Sequence, residues 1–322
     1  MSDNSIIIGF AGDVMIGRGV DAAIANNGYR YPWGNVLPLL EKTDINIINL
    51  EAALTNSTKK VYKTFNFKAT PDRIETLTTA KVTVANLANN HILDFSEEGL
   101  IETIQALNDT GIVHTGAGRN DKEAKKPVIL SVKDKKLGVL GFTDNEPGWK
   151  AGDSWGGVNY IDISNNGDCE RALMAIAELR KETDLLIISI HWGPNMQAEP
   201  EQYFIDFAHA MIEKGADIIH GHSAHNFQGI EVYQHKLILY DTGDFLDDYA
   251  VDPFLRNDHS FLFKVEVSQK RIEKLVLVPV LISHCQVNLA TNEDYKWSIE
   301  RMQKLSANFG TEVSDEGGVL LF

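Results

Sequence analysis

The sequence predicts an α/β protein in which mixed β-sheets are covered by helices. Short apolar runs rich in β-branched residues alternate with amphipathic segments, which is the pattern expected of βα units. Between these units lie paired apolar runs joined by polar turns, which are typical of antiparallel hairpins. No Pro-, Gly- or Ser-rich linker, internal repeat or low-complexity tract divides the 322 residues. We therefore expect one domain over residues 1–290, with the C-terminal helix and tail at 291–322 packed on the same domain.

Six apolar runs are predicted to be buried strands because each is short and flanked by polar or turn residues. In chain order they are SIIIGFA from Ser5, INIINL from Ile45, KVTVANLA from Lys81, GIVHTG from Gly111, DLLIISIHW from Asp184 and ADIIHG from Ala216. Three further segments are predicted to be antiparallel hairpins, because each pairs two apolar runs across a polar turn. They span residues 127–142, 230–245 and 260–282.

Four helices are predicted from capping residues and apolar spacing. Thr70 followed by Pro71 indicates an N-cap with proline at the first helical position. Ser96 and the two glutamates after it open a second helix, whose positive dipole end favours acids. A third helix at 199–215 places five apolar side chains on one face, and a fourth, amphipathic helix covers 293–310. The five apolar residues are Phe204, Phe207, Ala208, Met211 and Ile212.

Composition excludes several classes of protein. The formal net charge is -15, and no cluster of Lys and Arg offers the positive surface that duplex nucleic acid requires. The two cysteines, Cys169 and Cys285, are far apart, which excludes a disulfide framework and a thiolate zinc site. Asp3 stands where a signal peptide carries basic charge, and the apolar run after it is too short to span a membrane. We expect a cytoplasmic protein with no membrane anchor and no nucleic-acid partner.

Side chains with metal-ligand chemistry follow one predicted strand after another. The carboxyl ends of strands in α/β sheets meet at one crevice, so these side chains are expected to converge. Neutral imidazole is also the commonest metal ligand among side chains, and the segment HGHSAH concentrates three histidines behind one strand. The residues at these strand ends are Asp13, Glu51, Asn90, His91, His191, His222 and His225.

Each of these residues alone has a structural explanation. Asp13 can cap a loop, Glu51 can be a surface acid, and His191 can be a buried core histidine with satisfied hydrogen bonds. The asparagines before His91 suit a turn, because Asn tolerates left-handed backbone conformations. His220 alternates with His222 along its strand and is assigned to structure. A chance arrangement explains single residues well, but it does not explain five strand ends that all carry such groups.

The mixture of oxygen and imidazole ligands favours Mn, Fe or Zn over a metal held by thiolates. Six candidate ligands exceed the number that one tetrahedral ion needs, so the sequence predicts one or two divalent ions, with two favoured. Two neighbouring ions can hold an oxyanion and lower the pKa of a water molecule between them. The predicted site is therefore suited to attack by an activated water molecule on a bound substrate.

Five motifs in order resemble the CapA-like, poly-γ-glutamate capsule-synthesis family. They are GDVMIGR from Gly12, NLEAALT from Asn49, ANNHILDF from Ala88, IHWG from Ile190 and GHSAHNFQGIE from Gly221. The similarity runs in motif order from about Gly12 to about Tyr249. Because that family resembles the calcineurin-like metallophosphoesterases, it implies a four-layer α/β/β/α sandwich of two mixed sheets flanked by helices.

The resemblance also implies how the ligands divide between two ions. One ion would be held by Asp13, Glu51 and His225. The other would be held by Glu51, Asn90, His191 and His222, so that Glu51 is shared. His91 matches a histidine that assists catalysis without binding metal, by protonating a leaving group or stabilising developing charge.

Several residues depart from the pattern of these families. Met15 stands where phosphoesterases have a histidine, which leaves the Asp13 site short of a ligand and predicts weaker binding there. The usual GNF motif is GDF here, which makes Asp244 a candidate catalytic base. Positive charges that are candidate contacts for an anionic substrate, with solvated surface charge as the alternative, are Arg18, Lys68 and Arg256.

Three functions remain open at this point. The first is a metal-dependent hydrolase acting on a phosphoester or on a γ-glutamyl or peptide-like substrate, linked to poly-γ-glutamate metabolism, with His91 assisting the leaving group. The second is a metal-dependent peptide epimerase in which Asp244 or His91 removes a proton next to a polarised carbonyl. The third is a scaffold for capsule assembly without catalysis, which the set of six ligands argues against. The expected partner is a small anionic or peptide-like substrate.

Overall fold

The structure is a computed structural model that describes residues 5–268 and 271–320. Its strands form two large sheets and two small ones. The strands are β1 (Ile6–Val14), β2 (Ile45–Leu50), β3 (Ala53–Leu54), β4 (Lys68–Ala69), β5 (Val82–Asn86), β6 (Val113–Thr115), β7 (Ala117–Gly118), β8 (Val128–Val132), β9 (Lys135–Thr143), β10 (Gly157–Val158), β11 (Leu185–His191), β12 (Ile218–His222), β13 (Ile230–Tyr233), β14 (Lys236–Leu239), β15 (Asp244–Leu246), β16 (His259–Ser268), β17 (Arg271–Ser283), β18 (Gln286–Leu289) and β19 (Gly318–Leu320).

The helices lie mainly between the parallel strands. They are α1 (Arg18–Asn27), α2 (Leu37–Leu40), α3 (Ile74–Thr79), α4 (Ser96–Thr110), α5 (Asp121–Ala124), α6 (Asn166–Arg180), α7 (Gln202–Glu213) and α8 (Asn292–Ala307). Short 3-10 turns cover Tyr31–Val36, Pro71–Arg73 and Pro147–Trp149.

The first sheet is mixed, and β1 lies near its centre. The order is β18-β17-β16-β1-β2-β5-β6, with β15 paired to β1 and β19 paired to β17. Strands β1, β2, β5, β6 and β15 run parallel, whereas β16, β17 and β18 continue the sheet in antiparallel register. The carboxyl ends of five parallel strands therefore lie along one edge of this sheet.

The second sheet is mixed as well, with the order β13-β14-β12-β11-β9-β8. Its four inner strands run parallel, and hairpins add β13 and β8 at the two edges. These hairpins, together with β16–β17 of the first sheet, confirm the three that the sequence predicts. The inner strands β11 and β12 bring the histidine-rich segments to the centre of this sheet.

Alternate residues of the central strands pack into different cores, which makes the molecule four layers thick. Ile47 of β2 and Ile187 of β11 belong to one core that lies between the two sheets. Ile48 instead packs with α1, α3 and α4, and Ile188 packs with α6 and α7. Since strand side chains alternate in direction, each sheet buries one face on its partner and the other face on helices. The predicted α/β/β/α sandwich is confirmed.

The local predictions hold, with small differences at the helix starts. All six predicted strands are present, and α7 buries all five of the apolar residues predicted for it. Thr70 is extended and precedes a 3-10 turn rather than α3 directly, and its side chain makes no capping hydrogen bond. Helix α4 does begin at Ser96, but Phe95 occupies the N-cap position. The acids near that start still lie at the positive end of the helix dipole.

The C-terminal segment packs against the rest of the chain. Ile299, Met302 and Leu305 of α8 are buried in the core between the two sheets. The backbone N–H of Ile230 donates to the hydroxyl of Ser306 at 3.0 Å, and β19 pairs with β17. Residues of both parts therefore share one core. The boundary between 1–290 and 291–322 stays a prediction.

The described helices are short relative to a bilayer. The longest is α8 with 16 residues, whereas about 20 apolar residues are needed to cross a membrane. Within residues 5–268 and 271–320, no helix combines the length and the apolar character that crossing would need.

Candidate metal centre

The carboxyl edge of the first sheet carries a row of polar side chains in register. Asp13 of β1 lies opposite Asp244 of β15 on one side and Asn49 of β2 on the other. Asn49 is in turn opposite Asn86, and Asn86 is opposite Thr115. All five are at most 1% exposed. Because paired residues of parallel strands project to the same face, this polar row points as a unit toward one side of the sheet.

The second sheet presents imidazoles at the matching position. His191 and His222 are in register on β11 and β12, and their Nδ1 atoms lie 3.0 Å apart. Ser189 contacts the other nitrogen of His222 at 3.1 Å. His220 instead reaches the carbonyl oxygen of Ala11 at 3.1 Å through Nε2, and this contact ties the two sheets together. Its contacts agree with the structural role assigned to it.

The two sheets bring the candidate ligands into two groups that share Asp13. The first ligand group is Asp13, His191 and His222, and the second ligand group is Asp13, Glu51, His225 and Asp244. Within each group the ligand atoms lie within 4.8 Å of one another. Asp13 Oδ1 is 3.8 Å from Nδ1 of both His191 and His222, and Oδ2 is 3.7 Å from Nδ1 of His225.

This grouping differs from the one that the resemblance implies. Glu51 is the expected shared ligand, but it belongs to the second ligand group alone, whereas Asp13 belongs to both. The reason is topological, because β1 is the strand of the first sheet whose end faces the histidines of the second. Glu51 follows β2 and is held at this edge by the hydrogen bond from its backbone N–H to the carbonyl of Val14 at 3.1 Å.

Several buried oxygens in and near these groups have no hydrogen-bond partner among the described residues. They are Asp13 Oδ2, both carboxylate oxygens of Glu51, Asp244 Oδ2 and, next to His91 in the sequence, Asn90 Oδ1. Burying an unpaired polar or charged group is costly, and native proteins avoid it unless an ion or water satisfies the group. Carboxylate, amide and imidazole donors together suit Mn, Fe or Zn. The residues present therefore fit a divalent metal.

The pKa shifts of the buried acids and of the histidine pair in the first ligand group run in opposite directions. Burial raises the pKa of the carboxyl groups of Asp13, Glu51 and Asp244 well above their ordinary values. Burial also lowers the pKa of His191 and His222 well below the ordinary histidine value. His191 and His222 are therefore held as neutral imidazoles, the form that binds metal, while a nearby cation would favour the charged form of the acids.

Asn49 contacts the shared carboxylate of the candidate site, and it is absent from the ligands predicted from the sequence. Its Nδ2 donates to Asp13 Oδ1 at 2.7 Å and lies 3.4 Å from Nδ1 of His191. Its Oδ1 accepts from Asn86 at 3.0 Å and from Asn89 at 3.1 Å. This chain of amides fixes the carboxylate that both groups share. The available signal was period-two alternation in INIINL, which places Asn49 on the same strand face as Ile47.

His91 is oriented by an acid from its own turn. Its Nδ1 lies 2.6 Å from Asp94 Oδ2, and its Nε2 lies 3.9 Å from Glu51 Oε1. The ring stacks on Phe67 with centroids 3.9 Å apart. Burial lowers the pKa of His91 to about 4 despite the opposing charge of Asp94. His91 therefore lies beside the second ligand group with Nε2 directed toward it, and it is in neither group.

The loop after β12 aims His225 through a strained backbone. Ser223 has φ of 124° and His225 has φ of 60°, which are uncommon values for residues other than glycine. Asp241 holds this loop by accepting the backbone N–H of Ala224 at 2.7 Å. Burial lowers the pKa of His225, but the charges of Glu51 and other acids outweigh it and raise the pKa above its ordinary value.

Asp244 lies in the ligand group that the sequence predicts to be short of a ligand because of Met15. It is 2.8 Å from His225 Nδ1 and belongs to the second ligand group, whereas its sequence context predicts a catalytic base. Met15 cannot take that position, since it is fully buried in the core between the first sheet and the helices. Asp244 therefore supplies a fourth candidate ligand on the side that was expected to be short of one.

Close backbone approach brings Asp244 next to Asp13. A Cβ atom on Gly12 would lie 1.8 Å from the carbonyl oxygen of Gly243, so no side chain fits there. Gly243 has φ of 70°, which is accessible to glycine without strain. The backbone N–H of Asp13 donates to this same carbonyl at 3.0 Å. Two glycines thus allow β15 to pair with the end of β1.

Arg18 lies beside the site but is already paired. Its guanidinium is 2.7 Å from Asp248 and lies 5.1 Å from the ring centroid of Phe67 and 5.6 Å from that of Tyr249. Phe67 is the ring on which His91 stacks. Arg18 therefore packs against the wall of the site, and its role as an anion contact stays a prediction.

The other two predicted anion contacts are engaged elsewhere. Lys68 Nζ donates to the carbonyl of Ser57 at 2.6 Å. Arg256 is paired with Asp258 at 2.8 Å and lies over the ring of Trp297 in α8, 5.5 Å from its centroid. The structure does not bring Arg256 to the ligand groups, since these contacts hold it to its own loop and to α8.

Residues 7–249 match the protein family described as Bacterial capsule synthesis protein PGA_cap. The chain belongs to this family. The matched region contains all five motifs and both ligand groups, and it ends at the tyrosine that follows β15 by three residues. The resemblance drawn from the motif order is therefore confirmed at the level of family.

Relatives in the family carry names tied to polymer synthesis. A protein of Mycobacterium tuberculosis, named "Probable polyglutamine synthesis accessory protein", is 29% identical over 94% of this chain and 91% of its own. "Capsule biosynthesis protein CapA" of Bacillus anthracis is 31% identical over 84% of this chain and 66% of its own. Among solved structures, TT1561 of Thermus thermophilus is similar at 12% identity with a TM-score of 0.47, covering 84% of this chain and 98% of its own.

Proposed function

We propose that this protein is a metal-dependent hydrolase that acts on a phosphoester or on a γ-glutamyl or peptide-like substrate. One observation carries the proposal: buried carboxylate oxygens without hydrogen-bond partners among the described residues meet histidines in two groups that share Asp13. A shared carboxylate between two sets of ligands is the arrangement that a pair of metal ions needs. Two divalent ions, Mn, Fe or Zn, are therefore proposed as cofactors.

The residues divide into ligands and a proton-transfer group. Bound metal would supply positive charge for an anionic substrate and would lower the pKa of a water molecule. Asn49 holds Asp13 in one orientation, since it donates to one oxygen of that carboxylate and leaves the other free. Hydrogen bonds of this kind, made to a ligand by a residue behind it, fix the geometry of the ligand. The site is thus preorganised before any substrate binds.

His91 is proposed to exchange a proton with the substrate at Nε2. Asp94 holds Nδ1, so the ring presents Nε2 toward Glu51 and the space beside the second ligand group. Burial and the stacked ring of Phe67 exclude water from this imidazole. A positioned general acid or base typically contributes about 10²–10⁴-fold to the rate. Because burial lowers the pKa of His91 to about 4, the neutral ring first accepts a proton at Nε2 in this proposal and then returns it to the leaving group.

The names of the relatives support a substrate linked to the synthesis of a capsule or of an amino-acid polymer. The Mycobacterium tuberculosis relative is named for polyglutamine synthesis, and the Bacillus anthracis relative is named for capsule biosynthesis. For this chain we propose a γ-glutamyl or peptide-like chain, or a phosphoester, linked to poly-γ-glutamate metabolism as substrate. The cytoplasmic location predicted from the sequence is part of the same proposal, and cell fractionation with an antibody against the native protein tests it.

Peptide epimerisation is the alternative, and the position of Asp244 weighs against it. That route needs a base for the Cα proton, and Asp244 or His91 is predicted for the role. Asp244 is instead turned toward His225 and grouped with candidate ligands. Of these two predicted bases, His91 alone lies outside both ligand groups. Epimerisation must remove the Cα proton and then return one, so a single free base favours hydrolysis.

The test combines metal loading with two substrates. Purified protein loaded with Mn²⁺ would be assayed on p-nitrophenyl phosphate and on short γ-glutamyl peptides in D₂O. Hydrolysis predicts product release with no deuterium at Cα, and the variant Asp13→Asn should lose both metal and turnover. Asp217→Asn is the matched control, because Asp217 is buried but pairs with Arg180 away from the site. Deuterium incorporation without cleavage would replace the proposal by epimerisation, and no bound metal would overturn both.

A further inference from the structure

Tyr249 lies against the wall of the candidate metal centre, three residues beyond the end of β15. Its ring meets the edge of the His225 ring at 5.3 Å with an interplanar angle of 81°. The ring also contacts Phe67, at a centroid distance of 5.6 Å, and the guanidinium of Arg18 at 5.6 Å. These contacts clamp the ring from several sides, so the direction of the hydroxyl is fixed by packing.

The hydroxyl of Tyr249 is buried and has no hydrogen-bond partner in the described part of the chain. The unpartnered carboxylate oxygens of Asp13, Glu51 and Asp244 share that condition. A phenol O–H is a hydrogen-bond donor, and here it has no acceptor among the described residues.

We infer that Tyr249 is a further catalytic residue, whose hydroxyl donates a hydrogen bond to the substrate oxygen that gains negative charge. The inference rests on the proposed function, since it requires a substrate at the ligand groups. A fixed donor aimed at developing charge is a strong source of transition-state stabilisation, because it needs no reorganisation during the reaction. The same donor would serve a phosphoryl oxygen or a peptide carbonyl.

Packing alone does not account for this hydroxyl. A buried donor without a partner costs free energy, so a phenylalanine would fill the same space at lower cost. Tyr240 shows the structural alternative in this chain, since its buried hydroxyl donates to Glu231 at 2.5 Å. Tyr249 differs because its hydroxyl is left for a ligand that arrives from outside.

The test compares Tyr249→Phe with Tyr240→Phe by using inorganic phosphate as the probe. Protein loaded with Mn²⁺ would be titrated with phosphate by calorimetry, and the metal-free proteins would be melted. A hydrogen bond to a charged oxygen predicts a Kd for phosphate that rises about 10- to 100-fold in Tyr249→Phe. The metal content and the melting temperature of that variant should match or exceed those of the wild type. Tyr240→Phe should show the reverse, with a lower melting temperature and an unchanged Kd.

The outcomes separate this inference from the proposed function. A wild-type protein that binds metal and phosphate, with an unchanged Kd in Tyr249→Phe, overturns the role of Tyr249 and leaves the hydrolase proposal standing. A wild-type protein that takes up no metal overturns the proposed function, and the inference falls with it. Loss of metal in Tyr249→Phe would also overturn the inference, since the residue would then act on the ligands rather than on the substrate.

Discussion

The two ligand groups share Asp13 but differ in chemistry. The first combines one carboxylate with two imidazoles, whereas the second combines three carboxylates with one imidazole. Imidazole suits Zn and Fe, while an excess of carboxylate oxygen suits Mn or Mg. Two divalent ions held here would thus have unlike surroundings, one with net positive charge and one with net negative charge. The candidate centre therefore consists of two different positions rather than of one position repeated.

The difference arises from the sheets that carry the ligands. The first sheet contributes oxygens from the edge where β1, β2 and β15 lie, and the second sheet contributes the histidine pair on β11 and β12. His225 crosses over, because its strained loop turns it from the second sheet toward Asp244. The first ligand group is therefore rich in nitrogen because it lies next to the histidine pair of the second sheet. The second ligand group is rich in oxygen because it lies along the edge of the first sheet.

The largest expected effect comes from the residue that the groups share. Asp13→Asn should abolish binding at both positions, because it removes the charge common to them. Elemental analysis should fall from about two ions per chain, as a two-metal site predicts, to nearly none. Asp217→Asn controls for loss of a buried carboxylate elsewhere. Retention of one ion in Asp13→Asn would show that one group binds without the shared ligand.

Removing a ligand that belongs to one group should separate the two positions. His222→Ala should lose the ion of the first group, and Asp244→Ala should lose that of the second, so each variant keeps about one ion from a two-metal site. Each variant would then be given Zn²⁺ and Mn²⁺ together and its bound metal identified by elemental analysis. Asp244→Ala, which keeps the imidazole-rich position, should prefer Zn²⁺, and His222→Ala, which keeps the carboxylate-rich position, should prefer Mn²⁺. Equal preferences in the two variants would mean that the ligand chemistry does not distinguish the positions.

His91 belongs to neither ligand group, so its removal should affect catalysis without affecting metal binding. His91→Ala should keep both ions and the melting temperature, while turnover of p-nitrophenyl phosphate or the γ-glutamyl peptide should drop by about 10²–10⁴-fold. Metal content and kcat, measured on the same preparation, check both halves of the expectation. If His91→Ala lost metal as readily as His222→Ala, the imidazole would have to be counted as a ligand.

The smallest expected effect concerns the residue that orients Asp13. Asn49→Ala should weaken metal binding by about 10- to 100-fold without abolishing it, as expected when a metal ligand loses a hydrogen bond that orients it. Calorimetric titration should show both positions weakened together, since Asn49 acts on their shared ligand. Asn66→Ala is a control, because Asn66 donates to backbone carbonyls outside the groups. Weakening of one position alone would contradict the shared role.

Local patterns predicted the elements, while register and topology decided the site. The strands and the apolar face of α7 follow from spacing within short segments, and the structure reproduces them. Asp13 belongs to both ligand groups because the end of β1 faces the histidines of the second sheet. No pattern within a short segment of sequence predicts which strand takes that place. Asn49 was missed for the same reason, because its importance comes from the register of β1 with β2. The position of Asp244 depends on the parallel pairing of β15 with β1.

The polar row lies on hydrogen-bonded strands inside a sheet, and this placement sets how the site can move. Amide hydrogens of central strands exchange with solvent only when much of the fold opens, whereas loop amides exchange through small fluctuations. The amide of Asp13 is bonded to Gly243, and those of its neighbours on β2 and β5 lie within the same ladder. The backbone of the site should therefore be among the slowest to exchange. Amides of surface loops such as 56–67, where Tyr62 and Phe65 are exposed, should exchange much faster than those of this ladder.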